Sequence, residues 1–274
     1  MSLQGNKINL SVNGKSILAE NVSINDSSPQ RALYSLNNNT PYNVVPSKIN
    51  SSISISYFLE PGNDPNYTTL TGIIYDKTSY SGSLINIGEN FITGYLNSFS
   101  FQLQPNSLVK VATDFSVYYS FSGNLSGQKL NDWNNYDTNN ASGLAHYWSA
   151  QILSGTTQIS DNKVLQMDYS AAIDLIPIYS LGDPLPKQIF YNKVTESTNI
   201  LSEQQFNTKY SGQLIDNILN GVQTLKLRNI SSIFSNTINS GISIPLTGFT
   251  LQDVKTDIQP DNLVFFNFSF NRFS

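Results

Sequence analysis

The sequence predicts a mainly β protein built from two tandem β-sandwich or barrel domains, each with a short flanking helix. Three observations support this fold class. Apolar and polar residues alternate along most segments, short motifs recur in the second half in the same order, and helical spacing is rare. Alternation with a period of two places successive side chains on opposite faces of a strand, which is typical of a half-buried sheet.

Two motifs carry the repeat. Residues 33–41 begin Leu-Tyr-Ser-Leu and end in Pro, and residues 178–186, which lie 145 positions later, begin Ile-Tyr-Ser-Leu and end in Pro. Residues 103–109 (Leu-Gln-Pro-Asn-Ser-Leu-Val) recur 155 positions later as residues 258–264 (Ile-Gln-Pro-Asp-Asn-Leu-Val). Two matches in the same order indicate a duplicated domain with a ten-residue insertion in its second copy.

The duplication divides the 274 residues into a first β domain at 1–122, a linker at 123–143 and a second β domain at 144–274. Both domains fit the usual size of about 100–200 residues. The linker is rich in Gly, Ser, Asn and Asp, but Trp133 and Tyr136 indicate that it docks on a surface, because large aromatic side chains are unusual in free linkers.

The first strands surround Asn13-Gly14, a pair that favours a type I′ hairpin turn because both central residues of that turn need positive φ. A further strand is predicted at 52–57. The clearest alternation spans 109–121, where every second residue is Val, Thr, Phe or Tyr. In the second half the opening strands are expected within 148–167, in a less regular pattern.

Each half is predicted to end in a β-hairpin. Residues 99–103 and 254–258 alternate, and each segment is followed by a turn that begins with Pro105 or Pro260. Proline presets φ and the Asn or Asp that follows tolerates the bend. The strand at 264–270 then keeps the parity of the apolar face seen in its counterpart.

Two short helices are predicted. Asp64 and Pro65 have the chemistry of an N-cap and a first helical position, so a helix is expected from there through Ile74. Residues 203–219 carry apolar side chains mostly at helical spacing, and they predict the helix of the second half.

Composition excludes several classes of protein. Only 12% of residues are charged, the net charge is −4, and no Lys/Arg cluster exists, whereas tight wrapping of nucleic acid needs many cations. Without cysteine, disulfides and thiolate metal sites are impossible. We expect no secretory signal at the start, and no membrane span, because no run of about 20 apolar residues occurs.

No constellation of residues predicts catalysis. The single histidine, His146, has no nucleophile-elbow sequence beside it. Glu60, Asp64 and Asp76 near the first helix, like the linker aspartates, are better explained by capping and turns than by a glycosidase-type pair or a calcium site. We therefore predict no catalytic residue, no cofactor and no metal.

Several segments resemble a known family. Residues 94–100 (Gly-Tyr-Leu-Asn-Ser-Phe-Ser) precede a long alternating strand, residues 246–249 read Leu-Thr-Gly-Phe, and the Tyr-Ser-Leu motif lies near the first strands of each half. With the repeated β domain, they resemble virion structural proteins of tailed bacteriophages and, more narrowly, the tail tube group. The resemblance covers most of both halves outside the linker.

The resemblance implies tube-like β domains whose rings stack around a channel for DNA. Single-domain members form hexamers, so this chain is expected to form homotrimeric, pseudo-hexameric rings through its hairpins at 99–121 and 254–270. Other virion proteins are expected partners, DNA would pass without sequence-specific binding, and the protein would belong to the virion tail after assembly in the host cytoplasm. A lumen of Asp, Glu, Asn and Ser would repel phosphate.

Alternatives remain open. The ten-residue insertion, and Gly182 where the first half has Asn37, would suit a neck, hub or capsid decoration protein. Abundant Tyr and Asn, together with the two Trp residues, would suit a carbohydrate-binding adhesin module.

Overall fold

A computed structural model describes most of the chain outside the predicted linker. The described residues are 2–3, 10–17, 19–25, 30–34, 40–46, 51–60, 64–76, 82–87, 90–118, 145–154, 157–158, 164–183, 185–204, 223–229, 242–245, 248–258 and 264–273. The predicted linker at 123–143, with Trp133 and Tyr136, lies outside them.

The described part of the first half consists of strands and one helical segment. Helix α1 (Pro65–Thr71) continues into a π-helical turn at Gly72–Asp76. The strands are β1 (Ser2–Leu3), β2 (Leu10–Val12), β3 (Lys15–Ile17), β4 (Ala19–Asn25), β5 (Gln30–Tyr34), β6 (Pro41–Pro46), β7 (Ser51–Phe58), β8 (Ser83–Ile87), β9 (Asn90–Leu103) and β10 (Lys110–Val117).

The described part of the second half consists of strands, so the prediction of a mainly β fold is confirmed. They are β11 (Ala145–Ser154), β12 (Thr157–Gln158), β13 (Val164–Tyr179), β14 (Pro186–Gln204), β15 (Gln223–Asn229), β16 (Ile242–Pro245), β17 (Thr250–Ile258) and β18 (Val264–Phe273).

The prediction of a second helix at 203–219 is wrong for its first two residues. Glu203 and Gln204 belong to β14, in which they lie opposite Phe265 and Val264 of β18. Tertiary pairing overrides the helical spacing here, because a strand position depends on the neighbours it packs against more than on local preference. The rest of 203–219 lies outside the described residues.

The main sheet is antiparallel and open. Its path is β1-β4-β7-β10-β9-β13-β14-β18-β17, with β2, β3 and β8 attached beside it. A second sheet has the order β12-β11-β15-β16, and β5 pairs with β6. Because β9 pairs with β13, one sheet spans both predicted domains.

The predicted hairpins of the first and last strands are confirmed. Asn13 and Gly14 have φ values of 52° and 78° between β2 and β3, as a type I′ turn requires. The two terminal hairpins are β9–β10, which turns at Pro105, and β17–β18, whose connecting residues 259–263 lie outside the described residues.

The strand groups β4-β7-β10-β9 and β13-β14-β18-β17 have the same order and the same register. In the first group, one row of directly opposite residues crosses the four strands and reads Val22, Ile55, Thr113 and Phe99. Positions 145 or 155 residues later repeat this row: Met167, Ile200, Phe268 and Val254. The Tyr-Ser-Leu motifs match as well, because Tyr34 lies opposite Pro41 and Tyr179 lies opposite Pro186 after a bulge in both cases.

The core lies against one face of the main sheet. Alternate residues of its strands are fully buried there, and the Tyr67 ring of α1 lies 6.1 Å from the Phe99 ring. Burying such side chains contributes about 1.5–3 kcal/mol each. Helix α1 therefore covers the apolar face and leaves the opposite face of the sheet open. Large fully buried side chains on this face include Ile53, Ile55, Phe99, Phe115, Phe268 and Phe270.

Candidate functional site

The open face of the main sheet carries mostly small polar side chains. It is formed by the outward residues of β4, β7, β10, β9, β13, β14, β18 and β17, and we call it the polar face. The alternation of the sequence produces it, because in each strand Ser, Asn or Asp separates the apolar residues that point into the core.

Small polar residues line up in rows that cross the strands. In the middle row each residue lies directly opposite the next on eight adjacent strands: Asn21, Ser56, Ala112, Ser100, Ser170, Ser197, Asn271 and Thr250. A row on one side reads Lys110, Gln102, Asp168, Asn199, Ser269 and Asp253. The row on the other side reads Ser23, Ser54, Asp114, Ser98, Ala172 and Thr195.

Hydrogen bonds between neighbouring strands hold these side chains in place. Asp114 accepts from the Ser54 hydroxyl through Oδ1 and from the Ser98 hydroxyl through Oδ2, the latter at 2.7 Å. The hydroxyls of Ser170 and Ser197 lie 2.7 Å apart. Such cross-strand bonds each contribute a fraction of a kcal/mol, and together they keep the face smooth and ordered.

Carboxylates outnumber amines on the polar face. Its alternating positions carry five aspartates and three lysines, and Lys110 is engaged by Glu20 at 2.9 Å. Exposed charges act over about 10 Å at 0.1 M salt. The face therefore repels a polyanion weakly and offers few cations that could hold one. The charged residues are Asp114, Asp168, Asp174, Asp253, Asp257, Lys110, Lys193 and Lys255.

A shallow groove of about 400 Å³ crosses the strands along the middle row. Ser56, Ser100, Ser170 and Ser197 line it, with Asp168 at its side. The polar groups of a specific ligand site converge on one point. The groups of this groove come from parallel rows and do not converge.

A buried ion pair supports the sheet beneath the second half of this face. Glu196 is 0% exposed and accepts from Arg272 Nε at 2.7 Å, from Arg272 Nη2 at 2.6 Å and from the Tyr169 hydroxyl at 2.7 Å. Burial, and then the negative charge of Glu196, hold the pKa of Tyr169 well above its usual value. The pair ties β13, β14 and β18 together.

Asp64 is a helix cap, as expected from the sequence. Its Oδ1 accepts from the backbone N–H groups of Asn66 and Tyr67 at 2.9 and 2.8 Å, while Oδ2 has no partner in the described part of the chain. Burial raises the pKa of Asp64 to about 6, and the hydrogen bond from Tyr67 is the largest of the opposing effects. This carboxyl lies on α1 under the core and takes no part in the polar face.

The described residues contain no group of three or more His, Cys, Asp or Glu that could hold a metal ion. His146 contributes its backbone to β11, and its side chain lies outside the description. The linker aspartates lie outside it as well. No helix in the described ranges is long and apolar enough to cross a membrane.

The rows of the polar face were not predicted residue by residue. The sequence signal existed, since Ser alternates with apolar residues at 52–56 and again at 98–100. Their alignment depends on the pairing of β9 with β13, which joins segments more than 60 residues apart.

Comparison with known proteins leaves the family open. No protein-family model matches the chain, and no curated protein matches it. Among solved structures it is similar to Dit (gp 19.1) of phage SPP1, described as a paradigm of the hub adsorption apparatus in phages that infect Gram-positive bacteria. The match covers 97% of this chain and 99% of that chain at 9% identity, with a TM-score of 0.23. A TM-score of this size does not establish a shared fold.

Proposed function

We propose that this chain is a non-enzymatic structural protein of a bacteriophage tail, whose copies form a ring in which the polar face lines a channel for DNA. The observation that carries the proposal is the middle row, which crosses eight adjacent strands, together with the two rows of six residues beside it. A face that buries itself against another protein would be expected to present aromatic and aliphatic side chains at its centre. This face instead suits water and a polyanion that must slide.

The stagger of the strands favours closure into a barrel. The middle row passes from Asn21 on β4 to Ser170 on β13, and Ser170 is the counterpart of Asn25. The row therefore advances four positions over four strands. An eight-stranded barrel with a shear of eight has the same ratio, and its strands tilt by about 36°. Closed barrels require a tilt of about that size.

Internal repetition gives the proposed stoichiometry. The matching order and register of the two strand groups support a duplication with domains at 1–122 and 144–274, so each chain would supply eight strands to a ring. Three chains would supply 24 strands as a pseudo-hexamer. Barrels of about 16–18 strands already leave an aqueous channel, so a ring of this size leaves room for a hydrated duplex.

The proposed setting is the virion tail, assembled in the host cytoplasm, where rings stack as a tail tube and meet other virion proteins. DNA would pass without sequence-specific contacts, because the polar face offers few cations to hold phosphate.

Electron microscopy and native mass measurement of the purified protein test the proposal. We expect rings or tubes, with a unit of about 91 kDa from three copies of the 30.4 kDa chain. A protein that stays monomeric at high concentration, with no ring in any image, refutes it.

A neck or hub ring is the second candidate. The two halves are not equivalent, since the ion pair of Glu196 and Arg272 in the second half takes the place of Ser51 and Val117 in the first. An uneven ring suits a junction between unlike partners better than a uniform stack. Rings that stay single at every concentration favour this candidate, whereas tubes favour the tail tube.

A further inference from the structure

The main sheet has two ends that are open to pairing. At one end, β17 has a strand partner on only one side among the described residues, namely β18. At the other end, β4 pairs with β7, and among the described residues its outer edge is covered at Val22 and Ser23 by the two-residue strand β1. Edges of this kind are templates for strand addition.

The chain contains the internal junction that corresponds to these two ends. Strands β9 and β13 pair antiparallel over residues 98–103 and 167–172. In the repeated register, β17 is the counterpart of β9, and β4 is the counterpart of β13. The two open edges therefore correspond to the two strands, β9 and β13, that already pair with each other within the chain.

Apolar residues at the β17 end are exposed, whereas their counterparts near the internal β9–β13 pair are buried. Phe99 and Tyr118, near the internal junction, are 0% and 5% exposed. Phe99 lies 6.5 Å from the Tyr169 ring of β13, and Tyr118 packs with Ile189 of β14. Their counterparts, Val254 and Phe273, are 41% and 60% exposed. Apolar residues exposed where their counterparts are buried indicate that a partner covers this end.

We propose, on the basis of the ring suggested above, that β17 of one copy pairs antiparallel with β4 of a second copy in the register of the internal junction. The partner is thus a second copy of this chain, joined head to tail, and such heterologous contacts give a ring when the rotation between copies closes. In this register Asp257 lies opposite Ser23, as Gln102 lies opposite Asp168. Likewise, Lys255 lies opposite Asn25.

Strand β1 occupies the place that β17 of the second copy would take. Ser2 lies opposite Ser23 and Leu3 lies opposite Val22, the positions that this register assigns to Asp257 and Ile258. In the free chain β1 shields the edge of β4, and it leaves when the longer strand pairs. The contact therefore exchanges a two-residue strand for a longer one, and β1 slows assembly.

Cysteine crosslinking tests the register, because the chain has no cysteine of its own. Oxidation of Ser23→Cys/Asp257→Cys is expected to give covalent dimers and a closed trimer of about 91 kDa, three times the chain mass. Ser23→Cys/Thr250→Cys, displaced by seven positions, is the mismatched control and should give several-fold less product. Gln102→Cys/Asp168→Cys should crosslink within one chain and shows that the geometry permits reaction.

Deletion of residues 1–3 is expected to speed formation of the crosslinked trimer several-fold. Rings that form without crosslinking at Ser23 and Asp257 above the mismatched control overturn the inference and leave the proposed function standing. Crosslinked oligomers that never form rings support the strand pairing and overturn the channel. An unchanged assembly rate after the deletion overturns the role of β1, and absence of any association overturns both proposals.

Discussion

Removing the charge of the buried Glu196 should destabilise the fold more than breaking an ion pair on the surface. Glu196 is 0% exposed, whereas the Arg272 side chain is 13% exposed. In Glu196→Gln the side chain keeps its size, but Arg272 loses its counter-charge. The guanidinium would keep one hydrogen bond to the Pro245 carbonyl, at 3.0 Å, and its position 4.5 Å from the Phe249 ring centre.

The expected loss follows from those contacts. Two charge-assisted hydrogen bonds, at 2.7 and 2.6 Å, are weakened or removed, and each is worth about 1.5–3 kcal/mol. Breaking one partner of a buried pair costs about 3–5 kcal/mol in measured cases, because an uncompensated charge remains. Replacing both partners, as in Glu196→Gln/Arg272→Met, should recover most of that loss.

Urea unfolding followed by circular dichroism measures these changes. The control is Lys110→Met, which breaks an exposed pair whose two side chains are 56% and 46% exposed, and it should cost about 1 kcal/mol or less. If Glu196→Gln costs no more than this control, or if the double variant is less stable than the single one, burial does not make this ion pair more important than an exposed one.

Three further predictions concern the cap, the core and the polar face. The pKa of Asp64 in the folded protein, about 6, exceeds its ordinary value of 3.8, so the folded state holds this proton more tightly than the unfolded state. The free energy of unfolding of the wild type should therefore fall by about 3 kcal/mol at most as pH rises from about 4 to 7. Urea melts of Asp64→Asn should show no such fall. Gly94→Ala should cost about 1–3 kcal/mol in the same melts, since its methyl group would lie 2.7 Å from Ile85 Cδ1 and 3.0 Å from the Cβ of Phe115, which cannot move without its backbone. Gly72→Ala, with nothing within 4 Å of the added methyl group, should not destabilise. Assembled rings of Ser100→Lys/Ser170→Lys should bind duplex DNA with an affinity that falls steeply with salt, and wild-type rings should not; fluorescence anisotropy that finds equal binding contradicts a sliding surface.

Local features were predictable because their causes are local. The turn at Asn13-Gly14 needs positive φ, and the cap at Asp64 needs a short acceptor before Pro65. Both therefore leave a signature within a few residues. The same holds for the buried Ile53 and Ile55 of β7, whose positions follow from alternation alone.

The second predicted helix shows where local reasoning ends. Residues 203–219 have helical spacing, yet Glu203 and Gln204 extend β14 because β18 lies beside them. The polar face shows the same limit. Its serines were visible as alternation, but their rows depend on which strands are neighbours.

The sequence by itself determined the mainly β class, the turn at Asn13-Gly14, the first helix, the strands with clear alternation and the repeated motifs, because period and turn chemistry act over a few residues. Only the tertiary structure decided that β9 joins β13, that the halves share one open sheet and that the polar residues align across it. Pairing between distant strands depends on packing and register along a whole face, and no short segment contains that information.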